Sequence, residues 1–179
     1  MMRYAMAMDT RKCVGCSDCV VACQTENNVP LGYCRDWIVE AVKGTYPETV
    51  QMHFKSERCM HCDNTPCVRT CPTGASHIIE GGIVKVTHNE CIGCGACIEA
   101  CPYEARYIHP DGYVDKCTFC DHRLAQGMNT ACVDVCPTSC LIFGDLDDPK
   151  SPVSKALQEK DWYVLAPEAG TKPQLYFLK

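Results

Sequence analysis

The sequence predicts a small α+β protein built from one short module used four times: strand, cysteine loop, one or two helical turns, strand. Three observations lead there. Sixteen of the 18 cysteines stand in four groups of four. A strand-like segment leads into each group, and a second follows three of them. Aromatic residues are only 8% of the 179 residues, so an ordinary apolar core is short of material.

Tyr4 to Met8 is the first expected strand, ahead of Cys13, Cys16, Cys19 and Cys23. Their spacing is C-x2-C-x2-C-x3-C, and Val20 to Glu26 is expected to continue as helix until Asn27-Asn28-Val29-Pro30 stops it. Asp36 to Glu40 forms a strand pattern inside the connecting segment 36–49. Val50 to Lys55 leads into Cys59, Cys62, Cys67 and Cys71, whose middle gap is four residues, and Pro72 follows. Ala75 to Ile79 and Ile83 to Thr87 are the next strands, divided by the turn Glu80-Gly81-Gly82. Cys91, Cys94, Cys97 and Cys101 repeat the first spacing and add Pro102. Ala105 to Ile108 and Gly112 to Asp115 flank the turn Pro110-Asp111-Gly112. Cys117, Cys120, Cys132 and Cys136 stretch the middle gap to eleven before Pro137, and Cys140 to Phe143 closes the repeat. Residues 146–179, ending in Leu175-Tyr176-Phe177-Leu178, are expected to be an extended arm on a partner or back on the body.

The run C-x2-C-x2-C-x3-C-P supplies thiolates to [4Fe–4S] clusters in bacterial ferredoxins. The x3 gap puts a helical turn between the third and fourth cysteines, and in two-cluster ferredoxins that fourth cysteine ligates the other cluster. Four runs mean four clusters, and four clusters in so short a chain mean an electron conduit. Gly15, Gly93 and Gly95 suit the tight loops, where positive φ is wanted. A disulfide framework has no reason to repeat one spacing. Zinc sites pair two distant C-x2-C halves, which the last run alone resembles. The formal charge is −5, and with sixteen thiolates and four oxidised cores it becomes about −13. That charge argues against nucleic acid as a partner and calls for buried N–H groups and nearby cations. No apolar run reaches the length of a membrane span. Met1 to Met8 carries neither a long apolar stretch nor a twin arginine, so no export signal is expected in this chain. No Ser-His-Asp order, phosphate loop or dinucleotide fingerprint is present, so no catalytic site is expected either.

Cys34 and Cys140 are left over and are read as small buried hydrophobes, with Cys140 near a cluster but not binding it. His61 and His122 lie within or beside cluster loops; they are read as surface or partner-facing, the alternative being donation to a cluster sulfur. Lys12, Arg58 and Lys116 stand directly before three runs and Glu90 before the other. Solvated surface charge is the default for all four. The alternative is that Glu90 lowers the potential of the cluster held by Cys91, Cys94 and Cys97.

The order of spacings, the prolines after runs two to four, and Cys71-Pro72-Thr73-Gly74-Ala75 resemble the four-cluster subunits of respiratory molybdenum oxidoreductases. The likeness is strongest to the iron–sulfur B subunits of polysulfide and thiosulfate reductases. Val14-Gly15-Cys16, Cys101 to Tyr107, Lys116 to Cys120 and Phe143-Gly144-Asp145-Leu146 are similar to the same group. The resemblance implies two pseudo-symmetric bacterial-ferredoxin-like halves, nested in sequence, with short strands and helices around four [4Fe–4S] clusters. One half is 1–35 with 110–145, the other 50–109. It implies that Cys13, Cys16 and Cys19 share a cluster with Cys136, and Cys117, Cys120 and Cys132 with Cys23. Cys59, Cys62 and Cys67 would go with Cys101, and Cys91, Cys94 and Cys97 with Cys71. Gln24 stands where the other three runs have proline, so a longer first helix and an intact cluster are expected.

The implied partners are a catalytic subunit carrying molybdopterin guanine dinucleotide and an integral membrane anchor that handles quinone or quinol. The cluster with Cys13 would lie toward the catalytic partner and that with Cys91 toward the anchor. The implied target is a sulfur compound such as polysulfide or thiosulfate. The alternative is the same role with an arsenic or selenium oxyanion enzyme, a formate dehydrogenase or a hydrogenase. The implied place is the outer face of the inner membrane, reached with a co-exported partner, or else its cytoplasmic face.

Overall fold

The computed structural model describes residues 2–179. In chain order its elements are β1 (Tyr4–Asp9), α1 (Asp18–Glu26), β2 (Asp36–Lys43), β3 (Gln51–Arg58), α2 (Pro66–Arg69), β4 (Ser76–Ile79), β5 (Ile83–Val86), α3 (Ala96–Glu99), β6 (Tyr107–Ile108), β7 (Val114–Asp115), α4 (Asp121–Leu124), α5 (Ala131–Asp134), β8 (Leu141–Asp145), α6 (Pro152–Glu159), β9 (Trp162–Tyr163) and β10 (Leu175–Leu178). Every strand expected beside a cysteine run is present.

Four strands form one sheet in the order β8-β1-β10-β9, with β1 antiparallel to β8 and parallel to β10. Side chains alternate between the faces of a strand. Met6 and Met8 therefore turn to one face, with Leu141, Phe143, Leu175 and Phe177, into a core that also contains Cys19, Cys59, Cys117 and Cys132. Ala5 and Ala7 turn to the other, against Val153 and Ala156 of α6. The sheet thus divides a helix on one side from the cysteine loops on the other. α6 opens on Pro152, whose missing N–H would be unpaired in a first turn anyway.

Residues 146–179 are not the extended arm that the sequence suggests. They form α6, β9 and β10, and β10 lies inside the sheet between β1 and β9. Leu175, Phe177 and Leu178 are fully buried. An unbroken apolar run is what a strand covered on both faces requires. Segment 36–49 is likewise more than a connection. β2 pairs with β3 from Asp36 opposite Arg58 to Lys43 opposite Gln51. The base of this hairpin buries Asp36, Ser56 and Arg58, and its far end exposes Val42, Tyr46, Val50 and Met52.

β4 with β5 and β6 with β7 make two short hairpins. The helices ahead of the Cys-Pro pairs, α2, α3 and α5, are single turns ending at Arg69, Glu99 and Asp134. A residue before proline is pushed out of the helical region, so these helices cannot pass the cysteine. α1 meets Gln24 instead and runs nine residues, to Glu26.

Candidate metal centre

The four cysteine loops share one backbone turn. The residue before the second cysteine of each run is left-handed: Gly15 at φ 69°, His61 at 43°, Gly93 at 66° and Phe119 at 52°. Such turns gather backbone N–H groups toward one point. At Gly15 and Gly93 a Cβ would strike the Phe54 ring and the Gly112 carbonyl. His61 and Phe119 accept a left-handed strain of about 1–2 kcal/mol each. Their rings stack on one another with centroids 3.8 Å apart, which braces both loops.

The loops bring thiols of different runs together. Cys13, Cys16 and Cys19 line one cavity with Cys136 and Cys140, closed by Ile38, Ser56 and Leu141. Cys117, Cys120 and Cys132 line a second with Cys23, beside Asn27, Arg58 and Phe119. Each has about 320 Å³ of atom-free space, so the two are matched in size. The Asn27 amide reaches Cys23 Sγ at 3.7 Å and Cys120 Sγ at 3.9 Å, tying α1 to the fourth run. Burial pushes the Cys62 thiol up to about 12, opposed by Thr171, and its neighbours Cys59, Cys67 and Cys101 push the same way. Burial also raises Cys97; Arg106 opposes it, and Cys71 and Cys91 add to it. Cys16 and Cys94 sit at exposed loop edges.

All eighteen cysteines are free thiols. Among the described residues no three Cys, His, Asp or Glu side chains converge tightly enough for a single metal ion.

Donors surround these sulfurs. Backbone N–H groups reach Cys71 Sγ from Ser76 at 3.4 Å, Cys91 Sγ from Val114 at 3.3 Å, and Cys136 Sγ from Cys140 at 3.3 Å. Burial pushes Cys71 up, but N–H groups led by that of Ser76 outweigh it and hold the thiol below its usual value. Arg58 donates to Cys132 Sγ at 2.8 Å and pairs with Asp36 at 3.0 Å. Arg106 donates to Cys67 Sγ at 2.8 Å. The buried Lys116 ammonium donates to the carbonyls of Val84 and Cys117. Arg58 Nε, Arg106 Nη1 and His61 Nε2 are buried with no hydrogen-bond partner. Buried donors normally find acceptors, and the sulfides of iron–sulfur clusters beside these cysteines are fitting ones. The residues present therefore fit [4Fe–4S] groups.

Several expectations change here. Arg58 and Lys116 are not solvated charges but 1% exposed, whereas Lys12 and Glu90 do lie at the surface. His61 is not surface-facing; it is fully buried, and its Nδ1 accepts the Val84 N–H at 3.1 Å. His122 is partly exposed and bonds Glu26 at 2.8 Å. Cys34 is exposed rather than buried. Cys140 is buried as expected, 3.4 Å from Cys136 Sγ. Arg106 joins the site unforeseen; its signal in the sequence is a cation in the short strand-like segment Ala105 to Ile108.

Cysteine cages with buried donors define an iron–sulfur electron-transfer protein, and comparison with known proteins agrees. Residues 12–75 and 50–146 match two models described as a 4Fe-4S dicluster domain. The B component of polysulfide reductase from Wolinella succinogenes is 44% identical, over 98% of this chain and 94% of its own length. Arsenate respiratory reductase iron-sulfur subunit ArrB of Shewanella sp. is 36% identical, over 99% and 97%. The B component of tetrathionate reductase from Salmonella typhimurium is 43% identical, over 98% and 72%. The chain belongs to the 4Fe-4S dicluster family of iron–sulfur electron-transfer subunits.

Proposed function

We propose that this chain holds four [4Fe–4S] clusters and relays electrons between a quinone-handling membrane anchor and a molybdopterin catalytic subunit acting on a sulfur compound. The first cage is Cys13, Cys16, Cys19 and Cys136; the second is Cys117, Cys120, Cys132 and Cys23. The third is Cys59, Cys62, Cys67 and Cys101; the fourth is Cys91, Cys94, Cys97 and Cys71. One observation carries this wiring: Cys136, Cys23, Cys101 and Cys71 each stand among thiols of another run. The pairing of β1 with β8 and of β4 with β5 supports two nested halves, 1–35 with 110–145 and 50–109.

Each cluster, when bound, takes up and returns one electron. The chain's residues do the rest. Thiolates hold the iron, N–H groups and guanidinium groups offset the negative charge, and Met6, Met8, Phe119 and Leu141 keep water from the inner loops. Relatives named for polysulfide and tetrathionate favour a sulfur compound as the target, and the one named for arsenate keeps an arsenic oxyanion as a second reading. Attachment to the membrane and passage to its outer face belong to the partners in this reading. Among the described residues no helix is long and apolar enough to cross a membrane.

Metal analysis tests the count, with about sixteen iron and sixteen acid-labile sulfide per chain expected. Iron near zero, or about four zinc, overturns the proposal. EPR tests the wiring. Cys101→Ala should abolish the signal that Cys62→Ala abolishes and spare the one lost in Cys94→Ala; the reverse pattern refutes it. Identification of the large protein that co-purifies from membranes tests the partner and the substrate class.

A further inference from the structure

The buried cations are not scattered. Arg58 donates to Cys132 of the second cage, and through the Ser56 hydroxyl it also reaches the first. Cys19 Sγ lies 3.6 Å from that hydroxyl. Lys116 is buried between the second and third cages: its ammonium donates to the carbonyl of Cys117, a second-cage ligand, and to that of Val84, whose N–H is held by His61 in the third-cage loop and whose side chain shares a buried cluster with Cys67. Arg106 donates to Cys67 of the third cage and lies against Cys97 of the fourth. Four cages in a row have three junctions: the first holds Arg58 with its partner carboxylate Asp36 behind it, the second Lys116 and the third Arg106. The outer basic residue, Lys12, is exposed and belongs to none of them.

We infer that Arg58, Lys116 and Arg106 are shared electrostatic couplers, each holding the midpoint potentials of the two clusters it lies between above the values the cysteines alone would set. The inference rests on the four-cage reading above. Its physics is direct. Reduction adds a negative charge to a cluster already negative with its thiolates, and nearby charge and donated hydrogen bonds are levers on the potential. A cation buried between two such groups stabilises the reduced form of both. It also offsets their mutual repulsion, so an electron on one cage is a smaller obstacle to an electron on the next. Arg58 and Arg106 each keep an unpaired buried donor, Nε and Nη1, beside these thiols, which is a second independent pointer to acceptors there.

The signature is that each cation governs a pair. Arg106→Gln should lower the third- and fourth-cage midpoints and leave the first and second in place. Lys116→Met should lower the second and third and leave the first and fourth. The expected shift is at least tenfold in the stability of the reduced form, about 59 mV for a one-electron couple. EPR-monitored redox titration of the purified protein measures it, with signals assigned from cysteine variants. A shift of one cluster only, of the same clusters in both variants, or of none while iron stays near sixteen overturns the inference and leaves the four-cage reading standing. Wild-type iron of about eight per chain would instead sink that reading itself. Where a neutral variant loses iron, Arg106→Lys and Lys116→Arg decide. Full iron with near wild-type midpoints supports coupling by charge, and iron loss there too assigns these residues to packing and overturns it.

Discussion

Replacing Phe177 by alanine should loosen the cages that share its core. Phe177 is fully buried in β10, opposite Met8 of β1 in the parallel pair and Tyr163 of β9 in the antiparallel one. Its ring stacks on Tyr163 at 5.4 Å, and the Lys55 ammonium lies 5.6 Å from its centroid. Truncating a buried phenylalanine costs about 3–5 kcal/mol, from lost transfer energy and the cavity left behind. In a chain of this size each kcal/mol moves the melting point by about 2–4 °C, so a fall of about 6–20 °C is expected. The same core contains Cys19, Cys59, Cys117 and Cys132 and none of the ligands proposed for the fourth cage, so the signals of the first three cages should fade before that of the fourth. The assay is loss of visible cluster absorbance on heating at a fixed scan rate, since unfolding with cluster loss is irreversible. Leu31→Ala, at a residue 97% exposed, is the control and should stay within about 2 °C. If Phe177→Ala melts with the control, β10 is a peripheral arm and the account of the sheet is wrong.

Three further outcomes are expected. Gly93→Ala places a Cβ on the Gly112 carbonyl at a positive φ, so the fourth-cage signal and about a quarter of the iron should be lost, while Gly127→Ala, with open space around it, should keep all four signals. Cys140→Ala removes a neighbour 3.4 Å from Cys136 Sγ. A lost hydrogen bond of about 1 kcal/mol should lower the first-cage midpoint by roughly 40 mV, and Cys34→Ala should move none. Burial raises the thiols of Cys19, Cys62 and Cys117 from 9.0 to about 12 in the cluster-free chain. Their neutral form favours that fold below about pH 9, and the contribution is lost as the pH rises to about 12. Loading needs thiolates, so reconstitution at pH 8 should release protons in a pH-stat, and its yield should still climb above pH 9. Absence of proton release would contradict the burial of these ligands.

The sequence made the cysteine modules legible because their spacing is covalent and local. A loop, a helical turn and a short strand follow from ten or so residues around each run, and the prolines at 72, 102 and 137 mark where the single-turn helices stop. The pairing of β1 with β10 was not legible, because Leu175 to Leu178 could cover any apolar surface and nothing local says which. The burial of Arg58, Lys116 and His61 was missed for a related reason. Charged and ionisable residues are almost always at the surface unless paired, and the partners distant in sequence here are a thiol and a carboxylate for Arg58, a carbonyl for Lys116 and a backbone N–H for His61. The left-handed turn was visible at Gly15 and Gly93 and hidden at His61 and Phe119, where stacking supplies what glycine supplies elsewhere.

The place of β10 in the sheet also imposes an order in time. Thr10 donates to the Leu178 carbonyl, 168 positions along the chain, so the strand between β1 and β9 leaves the ribosome long after β1. At about 5–20 residues per second, roughly ten to thirty seconds separate the emergence of β1 from that of its parallel neighbour. During that interval the first cysteine loop has no finished wall behind it, and Cys136, the fourth ligand proposed for it, arrives only shortly before the strand that closes the wall. The segment with runs two and three does not use Cys136, but its first loop is tied at Met60, Asp63 and Asn64 to residues 171–174. On the four-cage reading, loops of both halves therefore stay open until residues 171–178 have left the ribosome, and the machinery that supplies iron and sulfide finishes its work only after that.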